Sequence, residues 1–557
     1  MTAEPDAIRY RRIRAPREDG QALIEPPLFA ALEQLKSPTA SLTLRDWGDC
    51  CGKSLADLSR EARGELLHLA THYTAQYRNV DPNWARGDAE QPIVMAGHQP
   101  TLFHPGVWFK NFALSSLATQ AKCPAVNLVV DNDTLRAASI RVPTGTVDAP
   151  IYENVPFDDA SAEVPFEERS LLQSETYDSF AKRVQALFQP LLAGGPLSTY
   201  TPLVNRFWRI AREVRRRHDP RTSLGWLLAE ARHQLEAEFG LSTLELPLSQ
   251  ACDMASFRWF AVYLLAELPR LAADYNAMLA EYRLVNHVRS RSHPVPDLAR
   301  DDDWLEAPFW IWTAENPRRR HLFARRRSQT IEISDRVGLR ESLPLGADGD
   351  AAPAVEQLAR LRDRGIKIRP RALVTTMFSR LLAGDVFLHG IGGAKYDELT
   401  DAIVRRFFDL EPPPFLTVTA TLQLPIARPK LSPDDLRQSQ QRLREVGFHP
   451  ERFAREADLA KRAELEALAQ RKQQLLDELP RLREQGESRK AWHRELATLN
   501  QTMAGLLSGF RARLAAEQPQ LADQLSAAQR LGSREYSFVL FPEETLPEQL
   551  QRLARLE

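Results

Sequence analysis

Cysteine is scarce in this chain, which has four in 557 residues: Cys50, Cys51, Cys123 and Cys252. No two of them form a Cys-x-x-Cys pair, and the adjacent Cys50 and Cys51 are poorly placed for an ordinary disulfide. This pattern excludes a cysteine–histidine zinc cluster and a small disulfide-stapled fold. It predicts a protein of a reducing compartment.

Long apolar runs are also missing. The longest, residues 260–268, is far shorter than the roughly 20 residues that a membrane-spanning helix needs. Residues 1–6 lack the basic and then apolar pattern of a signal peptide. We therefore expect a cytoplasmic protein that does not act at a membrane.

An excess of charge of either sign is absent as well. Lys and Arg number 73 against 74 for Asp and Glu, so the net charge of -1 gives no overall attraction for a nucleic-acid backbone. The arginine runs at 215–217, 318–320 and 325–327 are interpreted as solvated surface. We expect no nucleic-acid partner.

The length predicts several domains, because single cores rarely grow beyond about 250 residues. Shifts in composition place the boundaries. The predicted parts are an N-terminal arm with helices (1–90), the first part of a core (91–150), a mostly helical insertion (151–360), the second part of the core (361–430), a helical hairpin (431–530) and a C-terminal segment that docks on the core (531–557).

The first part of the core has the pattern of a βαβ unit. An apolar run at 93–96 stops at Gly97, an amphipathic helix follows at 107–120, and a second apolar run at 125–130 ends at Asp131. Strand, helix and strand within about forty residues predict two parallel, buried strands.

A similar pattern returns late in the chain. Residues 386–389 read as a strand, 390–393 as a tight loop, 396–408 as a helix and 415–419 as another strand. Each half-sheet is too small to be stable alone, so one sheet is expected to contain both. The predicted fold class is α/β, with a Rossmann-like parallel-sheet core built from two distant segments and interrupted by the helical insertion.

The C-terminal part predicts long helices. Ser432 is followed by proline and two acids, which is a strong helix start, and leucines at 465–482 and 496–510 follow three- and four-residue spacing. With a turn at 486–488, this predicts an antiparallel coiled-coil hairpin. The hairpin is the candidate interface of a possible homodimer.

The first candidate site is the segment GHQPTLFHPG at 97–106, between the first strand and its helix. In an open parallel sheet, ligands bind beyond the carboxyl ends of the strands, near helix N-termini. A plain polar connection is the alternative, but the density of histidine, glutamine and glycine favours a site. The candidate cofactor-binding or catalytic residues here are Gly97, His98, Gln99, His104, Gly106 and Lys110.

Two acids at the end of the second strand, Asp131 and Asp133, are further candidates. A carboxylate there would bind a ribose hydroxyl, a magnesium ion or a substrate amine. A strand-ending turn held by the same side chains explains them equally well.

The third candidate is the segment HGIGGAKYDE at 389–398. Three glycines before a helix form a nest of N–H groups that holds an anion, and Lys395 adds a positive charge. The acids also complement the helix dipole, which explains one or two of them without a ligand. The candidate residues are His389, Gly390, Gly392, Gly393 and Lys395, with Tyr396, Asp397 and Glu398 assigned to substrate.

These segments together resemble a known family, the putative cysteine ligases of bacillithiol biosynthesis (BshC-type proteins). That family has a Gly-Gln-Gln-rich loop ending in Phe and Gly, an acidic strand end and a later glycine-rich loop before a helix. Residues 97–106, 131–133 and 390–398 are similar to these. His98 stands where the family has Gln, and the string at 395–398 departs from the usual one.

The resemblance implies a Rossmann-like core with a C-terminal coiled coil and an ATP-dependent ligase, with Mg²⁺ possible, that joins cysteine to glucosaminyl malate through an amide bond. His98, His104, Asp131, Asp133 and Lys395 are then the candidate catalytic residues, and no resident metal is expected. The alternative is a nucleotide-binding assembly protein of the same fold that recruits a partner through its coiled coil.

Overall fold

The computed structural model describes residues 8, 10–36, 48–86, 91–159, 163–192, 200–485 and 488–555. These residues form a mixed α/β protein whose central sheet contains parallel and antiparallel strand pairs.

The strands follow one another along the chain as β1 (Gln21–Glu25), β2 (Val94–His98), β3 (Ala125–Val129), β4 (Ser139–Gly145), β5 (Pro150–Pro156), β6 (Leu244–Pro247), β7 (Arg300–Asp301), β8 (Trp304–Thr313), β9 (Asn316–Arg327), β10 (Thr330–Ser334), β11 (Arg340–Pro344), β12 (Ile366–Pro370), β13 (Val386–His389) and β14 (Phe415–Thr421). The α-helices are α1 (Leu28–Lys36), α2 (Leu55–Ala75), α3 (Pro105–Ala121), α4 (Ser174–Leu192), α5 (Val204–Arg217), α6 (Leu224–Glu238), α7 (Leu248–Ala251), α8 (Ala255–Ala266), α9 (Leu268–Val285), α10 (Ala352–Asp363), α11 (Ala372–Phe378), α12 (Ile391–Phe408), α13 (Pro433–Phe448), α14 (Leu459–Glu484), α15 (Lys490–Leu506), α16 (Ser508–Leu531) and α17 (Thr545–Leu553).

The central sheet has the strand order β1-β14-β13-β2-β3-β6. Its strands are parallel except β1, which runs antiparallel to β14. In the β2–β13 pair, Val94 lies opposite Val386. The prediction that two distant segments share one sheet is therefore confirmed. Two strands were not predicted: β1 comes from the N-terminal arm, and β6 comes from the segment interpreted as an insertion.

The direction in which the sheet grows changes between β2 and β13. From β2 the chain adds β3 and then β6 on one side, and later adds β13 and β14 on the other. The connections that leave β2 and β13 therefore diverge, and a crevice opens between them at the carboxyl ends of these strands.

Both faces of the central sheet are covered. Ile93 and Met95 pack into an apolar core with α2, α8, α9 and α12. Val94 and Ala96 point the other way and pack with α3, α4, α5 and α6. Successive residues of a strand face opposite sides. Because both faces are covered, the four consecutive residues Ile93, Val94, Met95 and Ala96 are all apolar.

The expectation of a mostly helical segment at 151–360 is wrong for residues 300–344, which form strands. Helices fill Ser174–Val285 only in part, and strands β7 to β11 follow, forming with β12 a second, antiparallel sheet. β12 lies in the predicted second part of the core but pairs with β8 rather than with a core strand.

The arginine runs of this second sheet lie on β9, where most of their charge is paired. Arg319 lies 3.0 Å from Asp133, Arg320 lies 3.6 Å from Asp335, and Arg325 lies 2.5 Å from Glu332. The inward positions of the same strand, Leu322 and Ala324, are buried. The runs thus belong to a strand of a sheet and are largely paired with carboxylates, whereas the sequence indicated only solvated surface.

The predicted loop at 390–393 is also wrong. α12 begins at Ile391 and its N-cap is Gly390, so Gly392 and Gly393 belong to the first helical turn. The first N–H groups of a helix have no partner inside the helix, so the backbone donors predicted there remain.

The C-terminal helices pack around their own apolar cluster, which includes Leu465, Trp492 and Phe510. α14 and α15 run antiparallel, as two contacts between them show. Arg471 pairs with Glu495, and the Trp492 indole donates to the Leu475 carbonyl. The predicted turn between them falls on 486–488, of which 486 and 487 lie outside the described residues. The predicted second helix is divided at Leu507 into α15 and α16.

The segment after α16 docks on the body as predicted and contains a short 3-10 turn (Phe538–Leu540). The Phe538 N–H donates to the Phe103 carbonyl at 2.8 Å. Within the described part of the chain, no helix combines the length and apolar character needed to cross a membrane.

Gly106 should be required for the packing of α3 against β14. A Cβ at this position would lie 2.3 Å from the Ala420 carbonyl oxygen, which is part of a buried strand. We expect Gly106→Ala to lower the free energy of unfolding in urea by about 2–3 kcal/mol.

The matched control is Gly64→Ala in α2, where a Cβ would meet no atom within 4 Å. Because alanine favours a helix interior over glycine, this variant should gain about 0.5–1 kcal/mol. Equal stability of the two variants would show that α3 can move away from β14 without cost.

Candidate functional site

A cavity of about 550 Å³ lies at the carboxyl ends of β2 and β13, in the crevice between these two strands. Both candidate segments of the sequence line it. The predicted residues found there are Gly97, His98, Gln99, His104, Gly106, Lys110, His389, Gly390, Gly392, Gly393, Tyr396 and Asp397.

The first wall is the connection from β2 to α3. His104 is the N-cap of α3, and its Nδ1 accepts a hydrogen bond from the Gly106 N–H at 3.1 Å. Pro105 follows at the first helical position, where its missing N–H costs nothing. This cap fixes the start of α3 against the sheet and so places Lys110, one turn later, beneath the cavity.

Lys110 is the positive group at the floor of the cavity. Its side chain is 2% exposed, and its ammonium donates to the Gly97 carbonyl at 2.5 Å. Among the described residues, no carboxylate forms an ion pair with it. Burial, together with the charge of Arg232, lowers the pKa of Lys110 to about 7.

His98 lies beside this lysine and is uncharged. Its Nδ1 lies 3.0 Å from the Gln99 carbonyl, and since a carbonyl only accepts, Nδ1 carries the proton. Burial and the nearby Lys110 charge lower the pKa of His98 to about 3. His98 is therefore a neutral hydrogen-bonding group near pH 7, not a cation.

The second wall is the start of α12, which is held by a buried charge cluster. Asp397 Oδ2 lies 2.6 Å from His389 Nε2 and 2.9 Å from Arg380. Burial alone would raise the pKa of Asp397, but the contacts with His389 and Arg380 outweigh burial and hold the pKa well below its usual range. Gly393 is required here, because a Cβ would lie 2.5 Å from the His389 ring.

The open backbone of this wall is suited to an anion. A Cβ on Gly390 or Gly392 would meet no atom within 4 Å, so a ligand has access to the backbone itself. The N–H groups of the first turn and the positive end of the helix dipole both favour a negative ligand.

Arg534 completes the cavity and was not predicted. It comes from the segment after α16, donates to Thr419 Oγ1 at 2.9 Å, and lines the cavity together with Glu535. Glu535 in turn lies 3.6 Å from His104. No local motif marks Arg534, and only the predicted docking of the C-terminal segment indicated that this part of the chain lies near the core.

Four predicted residues lie outside the cavity. Lys395, predicted as a catalytic cation, has an exposed side chain on α12 and does not line the cavity. Glu398 is turned toward Arg11, 3.9 Å away, and burial raises its pKa to about 7.

The two strand-end acids have structural partners instead. Asp131 is fully buried, and its carboxylate accepts hydrogen bonds from the Trp226 indole and from the backbone and hydroxyl of Ser249. A catalytic role for Asp131 is therefore not supported. Asp133 forms an ion pair with Arg319 and accepts a hydrogen bond from the Gln99 amide at 3.0 Å. It is therefore linked to the cavity only through Gln99.

One cluster has the spacing of a metal site, namely His233, Glu236 and Glu245. The Arg232 guanidinium lies 2.8 Å from Glu236 and 2.5 Å from Glu245 and supplies the positive charge that a metal would bring. The cluster is a buried ion-pair network beneath Lys110 rather than a candidate metal centre.

No protein-family model matches the chain, and the search of curated proteins gives no matching relative.

Removing the Asp397 charge should destabilise the fold, because it leaves the buried Arg380 with a weaker counter-charge. We expect Asp397→Asn to lose about 3–5 kcal/mol of unfolding free energy at neutral pH. Because the folded-state pKa is lowered, the advantage of the wild type is full above the usual pKa of about 3.9 and disappears as the pH falls through the lowered value.

Urea titrations at several pH values measure this difference. The control is Asp434→Asn, whose pair with Arg437 is exposed and should leave the unfolding curve unchanged. A difference between wild type and Asp397→Asn that does not depend on pH would contradict the ionised state of Asp397.

Proposed function

We propose that the chain is an ATP-dependent ligase similar to the cysteine-adding enzymes of bacillithiol biosynthesis, with the cavity between β2 and β13 as its active site. One observation carries the proposal: the strand order reverses at these two strands, and the cavity lies at their carboxyl ends. Parallel sheets of the Rossmann type bind nucleotides at this position.

The charge of the cavity supports an anionic cofactor. Lys110 and Arg534 bring positive charge from two sides, and the first turn of α12 brings free N–H groups from a third. Nucleotide phosphates need such donors. Lys110 takes over the role assigned from the sequence to Lys395.

The resemblance implies a ligation in which ATP activates a carboxylate and an amine then forms an amide. The carboxylate of cysteine displaces ADP from the γ-phosphoryl group and forms an acyl phosphate, or displaces pyrophosphate and forms an adenylate. The amine of glucosaminyl malate then attacks the carbonyl carbon. A C–N bond forms, phosphate or AMP leaves, and the amine gives up a proton.

His98, Gln99 and His104 suit the second half of this reaction as neutral contacts to substrate. For Mg²⁺ carried by ATP, carboxylates that line the cavity are the ligands to consider. Both oxygens of Asp397 are held by Arg380, His389 and Thr400. Glu535 has no side-chain hydrogen bond within the described residues and fits this role better.

The proposal is tested by incubating the protein with ATP, cysteine and glucosaminyl malate and detecting the conjugate of the last two by its mass. We expect Lys110→Met to lower kcat/KM about 100-fold, because the positive charge in contact with the phosphates is lost. Lys395→Met is the matched control and should act like the wild type. ATP consumption without conjugate would reject the substrate and keep the nucleotide site.

A nucleotide-binding assembly protein is the second candidate. The helices α13 to α16 have an apolar core of their own and still expose Phe448 (64%) and Leu459 (83%). These two side chains are the candidate contacts of such an interface, which would bury them against a partner.

Sedimentation velocity tests this alternative. Under it, the double variant Phe448→Ser, Leu459→Ser should lose an oligomer that the wild type forms, while ATP binding persists. Leu284→Ser, equally exposed but on α9, should keep the oligomer. Identical sedimentation of all three proteins would exclude assembly through these helices.

A further inference from the structure

Lys110 is a buried cation with unused hydrogen-bonding capacity. Its ammonium has three N–H donors, and one of them is taken by the Gly97 carbonyl. Within the described residues no other acceptor contacts it, although its side chain is almost fully buried and lines the cavity. Burying a charge without a partner is costly, so the site favours a ligand that supplies the missing negative charge.

The groups around Lys110 do not supply that charge. The β2–α3 connection contributes the neutral His98 and the capping His104, and α6 contributes Arg232, which is itself paired with Glu236 and Glu245. Across the cavity, β13 contributes His389 and α12 contributes Asp397; these two pair with each other, and Asp397 also pairs with Arg380. The C-terminal segment adds Arg534 and the half-exposed Glu535.

The first turn of α12 faces the same cavity. Its open N–H groups follow Gly390, and a Cβ at Gly390 or Gly392 would meet no atom within 4 Å. Burial is the main cause of the lowered pKa of His389, the residue before this turn, and the charge of Lys110 adds to it. Lys110, Gly390 and Gly392 line the same cavity of about 550 Å³, so one ligand there can contact both the lysine and the turn.

We propose that Lys110 and the first turn of α12 form one subsite for a phosphoryl group, and that this group enters together with a proton that Lys110 takes up. The helix supplies fixed N–H donors, and Lys110 supplies a charge that is complete only when the anion is present. The inference rests on the proposed function for the nucleotide that carries the phosphoryl group.

The sign of the coupling follows from the two states of Lys110. Without ligand its pKa is about 7, because burial and Arg232 disfavour the charged form. A phosphoryl dianion in contact with the ammonium favours the charged form and raises that pKa. Affinity is therefore full below pH 7 and falls as the pH rises through the free-state value, by up to tenfold for each pH unit.

Calorimetry with ADP on the full chain measures this directly. At about pH 8 the phosphate charge of ADP is constant, since its last pKa lies near 6. Titrations in two buffers of different ionisation enthalpy then give the number of protons taken up. We expect close to one proton for each ADP bound, because Lys110 is mostly neutral at that pH before binding.

Two variants locate the proton. Lys110→Met should bind ADP at least tenfold more weakly and take up no proton, while its thermal unfolding midpoint stays equal or rises because an unpaired buried charge is gone. Lys395→Met, outside the cavity, should match the wild type in affinity and uptake. A variant that merely damaged the fold would lower the midpoint instead.

The outcomes separate the two proposals. ADP binding with equal enthalpies in both buffers, or undiminished uptake in Lys110→Met, overturns the coupled subsite and leaves the nucleotide site in place. Absence of ADP and ATP binding by the wild type overturns the proposed function itself. Proton uptake without ligase activity supports the subsite and rejects the reaction.

Discussion

The parallel pairing of β2 with β13 is the contact on which the rest of the structure depends. It joins two segments that are far apart in the chain and places the ends of both strands at one edge of the sheet. Each strand leads into a helix whose N-terminus faces the crevice. The cavity, its glycine-lined walls and its buried lysine all follow from this single alignment. Each segment supplies only one wall, so the cavity exists only where the two segments lie side by side.

The burial that stabilises this alignment also determines the chemistry of the cavity. α3 is held by Trp108, Phe109 and Phe112, which are almost fully buried, and the same helix carries Lys110 into the interior. The packing of the aromatic residues offsets the cost of the unpaired ammonium. Charge that is held in place by packing rather than by a partner is available to a ligand, as is typical of functional sites.

The parts of the fold that were predicted correctly are those in which local sequence and burial agree. β2, β3 and β13 are mostly apolar because both of their faces are covered, and their bounds were predicted within one or two residues. β1 and β6 are short strands whose residues carry little periodicity. β9 was missed because arginines dominate its sequence and only two of its residues, Leu322 and Ala324, are buried. Such strands form through pairing with neighbours that the local sequence does not reveal.

The sequence alone determined which segments could line a site, since glycines at strand ends and polar residues before a helix follow local rules of turn and cap formation. Tertiary structure decided which side chains reach the cavity. In the folded chain, Lys395 is exposed to solvent, and Asp131 accepts hydrogen bonds from Trp226 and Ser249. Arg534, from the far end of the chain, lines the cavity. The direction of a side chain depends on the register of its helix against the sheet and on partners distant in sequence, which are set only when the whole core packs.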